Sequence, residues 1–133
     1  MQWTPLHRRK SGFVTLYVLF TSLTLIPVVG LAIDFSVLYN VKARLQTAVD
    51  AGCIAAGYTL QRTTDMTDPT QLAAIRSTAQ SFFNANYPTR YWGSTQASYT
   101  ATPATGANNT RTITIQASEN VPLLFLRVLG LSQ

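Results

Sequence analysis

Cysteine, histidine and acidic side chains are nearly missing from this chain: its 133 residues include one Cys, one His and five Asp or Glu. With Cys53 alone, no disulfide can form within the chain, so the fold has no covalent staple. Cys53 lies in Ala51-Gly52-Cys53-Ile54-Ala55-Ala56-Gly57, where a thiol serves as a small apolar group that lets another backbone approach. His7 precedes a long apolar run, whereas Cys53 and every acid follow it. If that run crosses a membrane, no Ser/His or Cys/His pair can assemble, and zinc lacks its usual ligands. A phosphate-cradling glycine loop is also missing. Asp65 and Asp68 are close in sequence, but their place before a helix start marks them as turn and capping groups. The composition therefore predicts no enzyme, no metal and no cofactor.

Concentrated positive charge is missing too. The net charge is +5, yet Arg8, Arg9 and Lys10 supply three of the ten basic residues, and the remaining seven are scattered among five acids. No basic stripe exists of the kind a phosphate backbone requires, so nucleic acid is not an expected partner.

What the chain does have is one long apolar run. Ser11 to Ile33 carries no charge, and the twenty-one residues from Phe13 to Ile33 would span roughly 31 Å as a helix, close to the hydrocarbon thickness of a bilayer. Thr15, Thr21, Ser22 and Thr24 interrupt it, but hydroxyls can bond back to a carbonyl one turn earlier. Pro27 lacks a backbone N–H and is expected to kink the helix. Arg8, Arg9 and Lys10 on one flank and Asp34 on the other predict a cytoplasmic N-terminus and a translocated remainder. A cleaved signal with Gly30-Leu31-Ala32 at its end is the rival, but the run exceeds the usual 7 to 15 residues of a signal core.

Beyond the run, Leu38, Val41, Leu45, Val49, Gly52, Ala56 and Leu60 recur at helical spacing with no Pro between Asp34 and Arg62. The pattern predicts an amphipathic helix continuing the membrane helix, with a bulky stripe that becomes small and suits close approach by another element. Lys42, Gln46 and Asp50 form an i, i+4 ladder off that stripe. Asp68-Pro69 predicts the cap and first position of a second helix ending near Asn86, before Tyr87-Pro88. Pro88 to Ser94 is expected to be a loop carrying Tyr91 and Trp92. Gln96 to Thr102 and Thr112 to Gln116 are expected strands, joined by a turn at Gly106-Ala107-Asn108-Asn109. Val121 to Leu129 is apolar but too short to cross a membrane as a helix, and is expected to cover the hairpin or join an interface. The predicted fold class is α+β, with a cytoplasmic leader at 1–12, a transmembrane helix at 13–33 and an external domain at 34–133 whose first part, 34–62, continues the helix.

Asp34-Phe35-Ser36 opens like the Asp-x-Ser-x-Ser metal motif of von Willebrand type A domains, but Leu38 stands where the last Ser would be. Asn108-Asn109-Thr110 fits an N-glycosylation acceptor only formally.

Arg8-Arg9-Lys10, Gly12 and the apolar run, Gly30-Leu31-Ala32-Ile33-Asp34, Leu38-Tyr39 and Leu45-Gln46-Thr47-Ala48-Val49-Asp50-Ala51 together resemble the N-terminal region of Tad/Flp pilus-assembly proteins of the TadE/TadG type. Phe82 to Asn86 and Val121 to Gly130 look like later parts of such proteins. The resemblance implies a bacterial inner-membrane protein with a periplasmic domain and a long N-terminal helix like that of a pilin. It further implies a minor pilin or pseudopilin role in assembly of a type IV-like pilus, with pilins and assembly-platform proteins as partners in homo- or hetero-oligomers. Gly12-Phe13 resembles a prepilin peptidase junction, and Tyr17 stands at the fifth residue after it, where processed pilins usually carry Glu.

On this reading Pro27, Gly30, Asp34, Gln46, Asp50, Gly52 and Ala56 are the candidate packing and assembly positions. Asp34 is either a wet marker of the membrane boundary or a functional polar group there. Asp50 is either part of a solvated face or a contact. A different class of function, a membrane-anchored envelope sensor or ligand-binding module, would use the loop bearing Tyr91 and Trp92.

Overall fold

A computed structural model describes residues 11–128 and Gly130. His7 and the leader residues Arg8, Arg9 and Lys10, on which the topology expectation rests, lie outside the described residues, as does Leu129. The fold is α+β: helix α1 (Ser11–Arg62), helix α2 (Pro69–Asn86), strands β1 (Ser98–Thr105) and β2 (Arg111–Ser118), and a single-turn helix α3 (Phe125–Val128). Contacts divide the described residues into two units, one made of 11–35 with 123–128 and Gly130, the other of 36–122.

Helix α1 is unbroken through Pro27. Its polar side chains are absorbed by back-bonding. Thr24 Oγ1 donates to the Phe20 carbonyl at 3.0 Å, Asn40 Nδ2 to Ser36 at 2.8 Å, and Thr47 Oγ1 to Ala43 at 3.0 Å. The helix stops where Thr63 N–H closes a tighter turn on the Leu60 carbonyl at 3.2 Å. Arg111, from β2, covers that end. Its guanidinium donates to the carbonyls of Leu60 (3.4 Å), Thr63 and Thr64 (3.4 Å), placing a cation on the negative end of the helix dipole.

Helix α2 begins as its capping sequence dictates. The Asp68 carboxylate accepts the Thr70 N–H at 2.8 Å with Pro69 in the first turn, and Gln71 Nε2 donates to the same carboxylate at 3.0 Å. Asp65 accepts the N–H and hydroxyl of Thr67, both at 2.7 Å. These bonds hold both carboxyls below the ordinary carboxylate range. Both acids are thus committed to the turn.

The hairpin is longer than the sequence pattern suggested, with β1 displaced toward the turn and β2 extended at both ends, pairing Ser98 with Ser118 through to Thr105 with Arg111. Pro103 lies within β1, which is acceptable because each strand of a two-stranded ribbon has an unpaired edge. The alternation is clean in β2, where Ile113, Ile115 and Ala117 are half-buried between exposed Thr112, Thr114, Gln116 and Ser118. Asn108 and Asn109 close the turn with φ of 57° and 60°, a left-handed geometry that Asn tolerates.

The second unit has one continuous apolar core, built from small residues of α1. Ala56, Leu60, Ile75, Ala79 and Ala101 form one cluster, and Ala48, Phe83 and Tyr87 another, with Tyr99 packed against both. Phe83 and Tyr99 are tilted rings with centroids 4.7 Å apart.

Candidate functional site

The largest exposed apolar surface belongs to the first part of α1. Phe13, Leu16, Leu19, Phe20, Leu23 and Ile26 are each more than half exposed. The most apolar 18-residue window has a mean hydropathy of 2.2 and is only 6% buried. A run this long and apolar with almost no partner in its own chain suggests membrane anchoring. Gly12 and Phe13 lie in its first turn, with Phe13 78% exposed and open space around Gly12. Pro27 is exposed on the same surface.

Asp34 is the one described residue at the end of this run that is charged, and it is not wet. It is 2% exposed. Its Oδ1 accepts the Leu124 N–H at 3.1 Å, and its Oδ2 accepts the N–H groups of Phe125 and Leu126 at 3.0 and 2.9 Å. These are the first backbone donors of α3, which no residue within that short helix could satisfy. One turn earlier, Gly30 is buried against the Phe125 ring, and a Cβ there would collide with it. Asp34 and Gly30 therefore form a notch and clasp for the last apolar stretch. Neither the wet-marker reading of Asp34 nor the expectation that Val121 to Leu129 covers the hairpin fits this arrangement. The stretch from Leu123 packs with the first unit instead, because three charge-assisted hydrogen bonds hold it there.

Gly52 and Ala56 are buried in the second unit. A Cβ on Gly52 would come within 3.1 Å of the Ala79 carbonyl oxygen and 3.3 Å of Ile115 Cδ1. The element that approaches this small-residue face is the chain's own α2. Gln46 and Asp50 are exposed, and Gln46 Nε2 donates to Asp50 Oδ1 at 3.0 Å as a surface pair. Cys53 is half-buried, and burial, reinforced by the Asp50 charge, raises its thiol pKa, so the thiolate is disfavoured.

The loop after α2 divides its aromatics. Tyr91 is half-buried edge-on to Tyr87, with ring centroids 6.2 Å apart, whereas Trp92 is 56% exposed in a left-handed conformation with φ of 54°. A cavity of about 130 Å³ lies beside this loop, lined by residues including Phe83, Tyr87, Arg90, Gln96 and Tyr99.

Two groups escaped the sequence reading. Arg111 carried no local signal, because the carbonyls it covers lie about fifty residues earlier. Glu119 accepts a hydrogen bond from Ser94 Oγ, and its second oxygen is buried with no partner among the described residues. Burial pushes its pKa above the ordinary 4.5. The folded state thus holds this proton more tightly than the unfolded chain. The stabilising contribution is full below 4.5 and is lost as pH rises through the folded value. Glu119→Gln is expected to raise the melting temperature by a few degrees at neutral pH, with the gap to the parent closing as pH falls toward 4.5. A gap that stays constant in melts across this range would rule that out.

No curated protein and no solved structure matches this chain. A family model, Tad, described as "Putative Flp pilus-assembly TadE/G-like", matches residues 12–65. The match takes in the apolar run, Gly30, Asp34, Gln46, Asp50, Gly52 and Ala56, and ends in the turn before α2; Phe82 to Asn86 and Val121 to Gly130 lie beyond it. Over residues 12–65, the greater part of α1 and the turn that follows, the chain is similar to the TadE/G-like domain of the Tad pilus-assembly family.

Proposed function

We propose that this protein is a non-catalytic component of Tad/Flp pilus assembly, acting as a minor pilin or pseudopilin. It is anchored in the bacterial inner membrane by one pass over residues 13–33, with its N-terminus cytoplasmic and residues 34–133 periplasmic. The observation that carries the reading is that the Tad-family segment coincides with an apolar helix surface left uncovered by its own chain. Helices associate in a membrane through close packing of such surfaces, and here the partners are pilin helices and the assembly platform. Since Gly30, Asp34, Gly52 and Ala56 are engaged within the chain, the outward surface from Phe13 to Ile26, with Pro27 on it, is the contact face. The pair Gln46 and Asp50 remains available for a polar contact beyond the membrane.

Photocrosslinkers placed at Leu19 and Leu23 in the native host are expected to capture a pilin or platform protein, and deletion of the gene to reduce piliation. Normal piliation in the deletion strain would refute the assembly role. The second reading, an envelope ligand-binding module, is supported only by exposed Trp92 and the adjacent cavity. Piliation unaffected by deletion, together with a ligand that protects Trp92 fluorescence from quenching, would favour it.

A further inference from the structure

We infer that the stretch Leu124 to Val128 is a second membrane contact, lying in the outer face of the same bilayer that α1 spans; the inference rests on the single-pass reading above. The argument starts from where the clasp holds the stretch. Asp34 directly follows the last residue of the apolar run, and Gly30, which receives the Phe125 ring, lies one turn, or roughly 6 Å, further into it. A ring seated on Gly30 is therefore drawn below the boundary that Asp34 marks.

The side chains beside Phe125 fit the same depth. Leu124 is 65% and Val128 83% exposed, and Leu31, Ile33 and Phe35, which flank Asp34 in the sequence of α1, are exposed as well. In water these apolar side chains would be left uncovered, whereas at a bilayer surface they meet acyl chains. Phe35 and Tyr39 are exposed aromatics at the level where membrane proteins carry their aromatic belt. Arg127 is exposed within the stretch and has the length to reach lipid phosphates while its stem stays in the apolar layer. The stretch is too short to span a bilayer, and its leading backbone N–H groups, which hydrocarbon would leave unpaired, are satisfied by Asp34. Asp34 itself is tolerated at this level because three donors surround its charge. Lipid is thus the occupant that matches the position, the apolar side chains and the cation together.

The test uses the full chain in vesicles of phosphatidylethanolamine and phosphatidylglycerol. In a Cys53→Ala background, nitroxides are attached after Val18→Cys, Thr114→Cys or Val128→Cys substitution, and their collisions with oxygen and a water-soluble nickel chelate are measured. Val18 lies mid-span and Thr114 on the exposed face of β2. The expected result is a lipid-like signal at 18, an aqueous one at 114, and nickel access at 128 several-fold below that at 114. Nickel access at 128 equal to that at 114, with 18 still lipid-like, would overturn the inference while leaving the span intact. An aqueous signal at 18 would overturn the span and the inference with it. Shielding of 128 from both reagents, with spin–spin broadening, would assign the stretch to a second copy instead and also overturn the lipid contact.

Discussion

Replacing Asp34 with alanine is expected to free the last apolar stretch from α1. Hydrogen bonds to a charged group contribute about 1.5–3 kcal/mol each, and three converge on this carboxylate, although they are not additive. Because the released N–H groups regain water, a net loss of about 3 kcal/mol is a reasonable magnitude, which shifts the docking equilibrium on the order of a hundredfold. Amide hydrogen exchange at Leu124, Phe125 and Leu126 should accelerate by that factor, with the amides of β1 and β2 as the internal reference. Asp34→Asn should fall between, because one amide oxygen can keep the bonds made by one carboxylate oxygen while the amide NH₂ opposes the remaining donor. Protection at 124–126 that survives Asp34→Ala would show that the Phe125–Gly30 contact alone holds the stretch.

The second large effect is expected at Ile75. It is fully buried and belongs to the cluster that joins α1, α2 and β1. Three of the four other buried residues of that cluster are alanines, and truncation leaves a cavity that the partly buried Met66, Leu72, Tyr99, Ile113 and Ile115 packed against it refill only in part. Ile75→Ala should cost about 3 kcal/mol or more, while Ile75→Val should cost about 1 kcal/mol. For a unit of this size, 3 kcal/mol lowers the melting temperature by roughly 12–24 °C, and the loss is read from the thermal unfolding of the second unit in detergent. Equal melting temperatures for parent and Ile75→Ala would mean that α2 does not share a cooperative core with α1.

Local chemistry made most of the elements legible. Asp68-Pro69 and Tyr87-Pro88 bracket α2, because a capping carboxylate, a proline at the first position and the restriction imposed before Pro88 all act within a few residues. The turn from Gly106 to Asn109 was likewise readable from residues that tolerate left-handed backbone. The ends of β1 were not, since Ala and Thr on both faces weaken the alternation and Pro103 resembles a stop. The small face at Gly52 and Ala56 was visible as a surface for close approach, but periodicity along one helix cannot tell whether the approaching element belongs to the same chain. For Asp34 the position was visible and the partner was not. Its donors lie 90 to 92 residues away, in a stretch whose composition says only that it is apolar. Arg111 escaped for the same reason: a cap reaching across about fifty residues leaves no mark in either local sequence.

The separation between Asp34 and its donors also orders events in time. At ordinary synthesis rates the chain needs roughly 5–20 s to add the ninety residues between them. Until then the carboxylate has no partner in its own chain and must remain hydrated or meet some other donor. The rest of α1, the α2 turn and the hairpin have all been synthesised before Leu124 exists. Closure of the clasp is therefore a signal of completion: it can occur only in a molecule whose second unit has been made in full, and a truncated chain would leave Gly30 open and Asp34 unanswered.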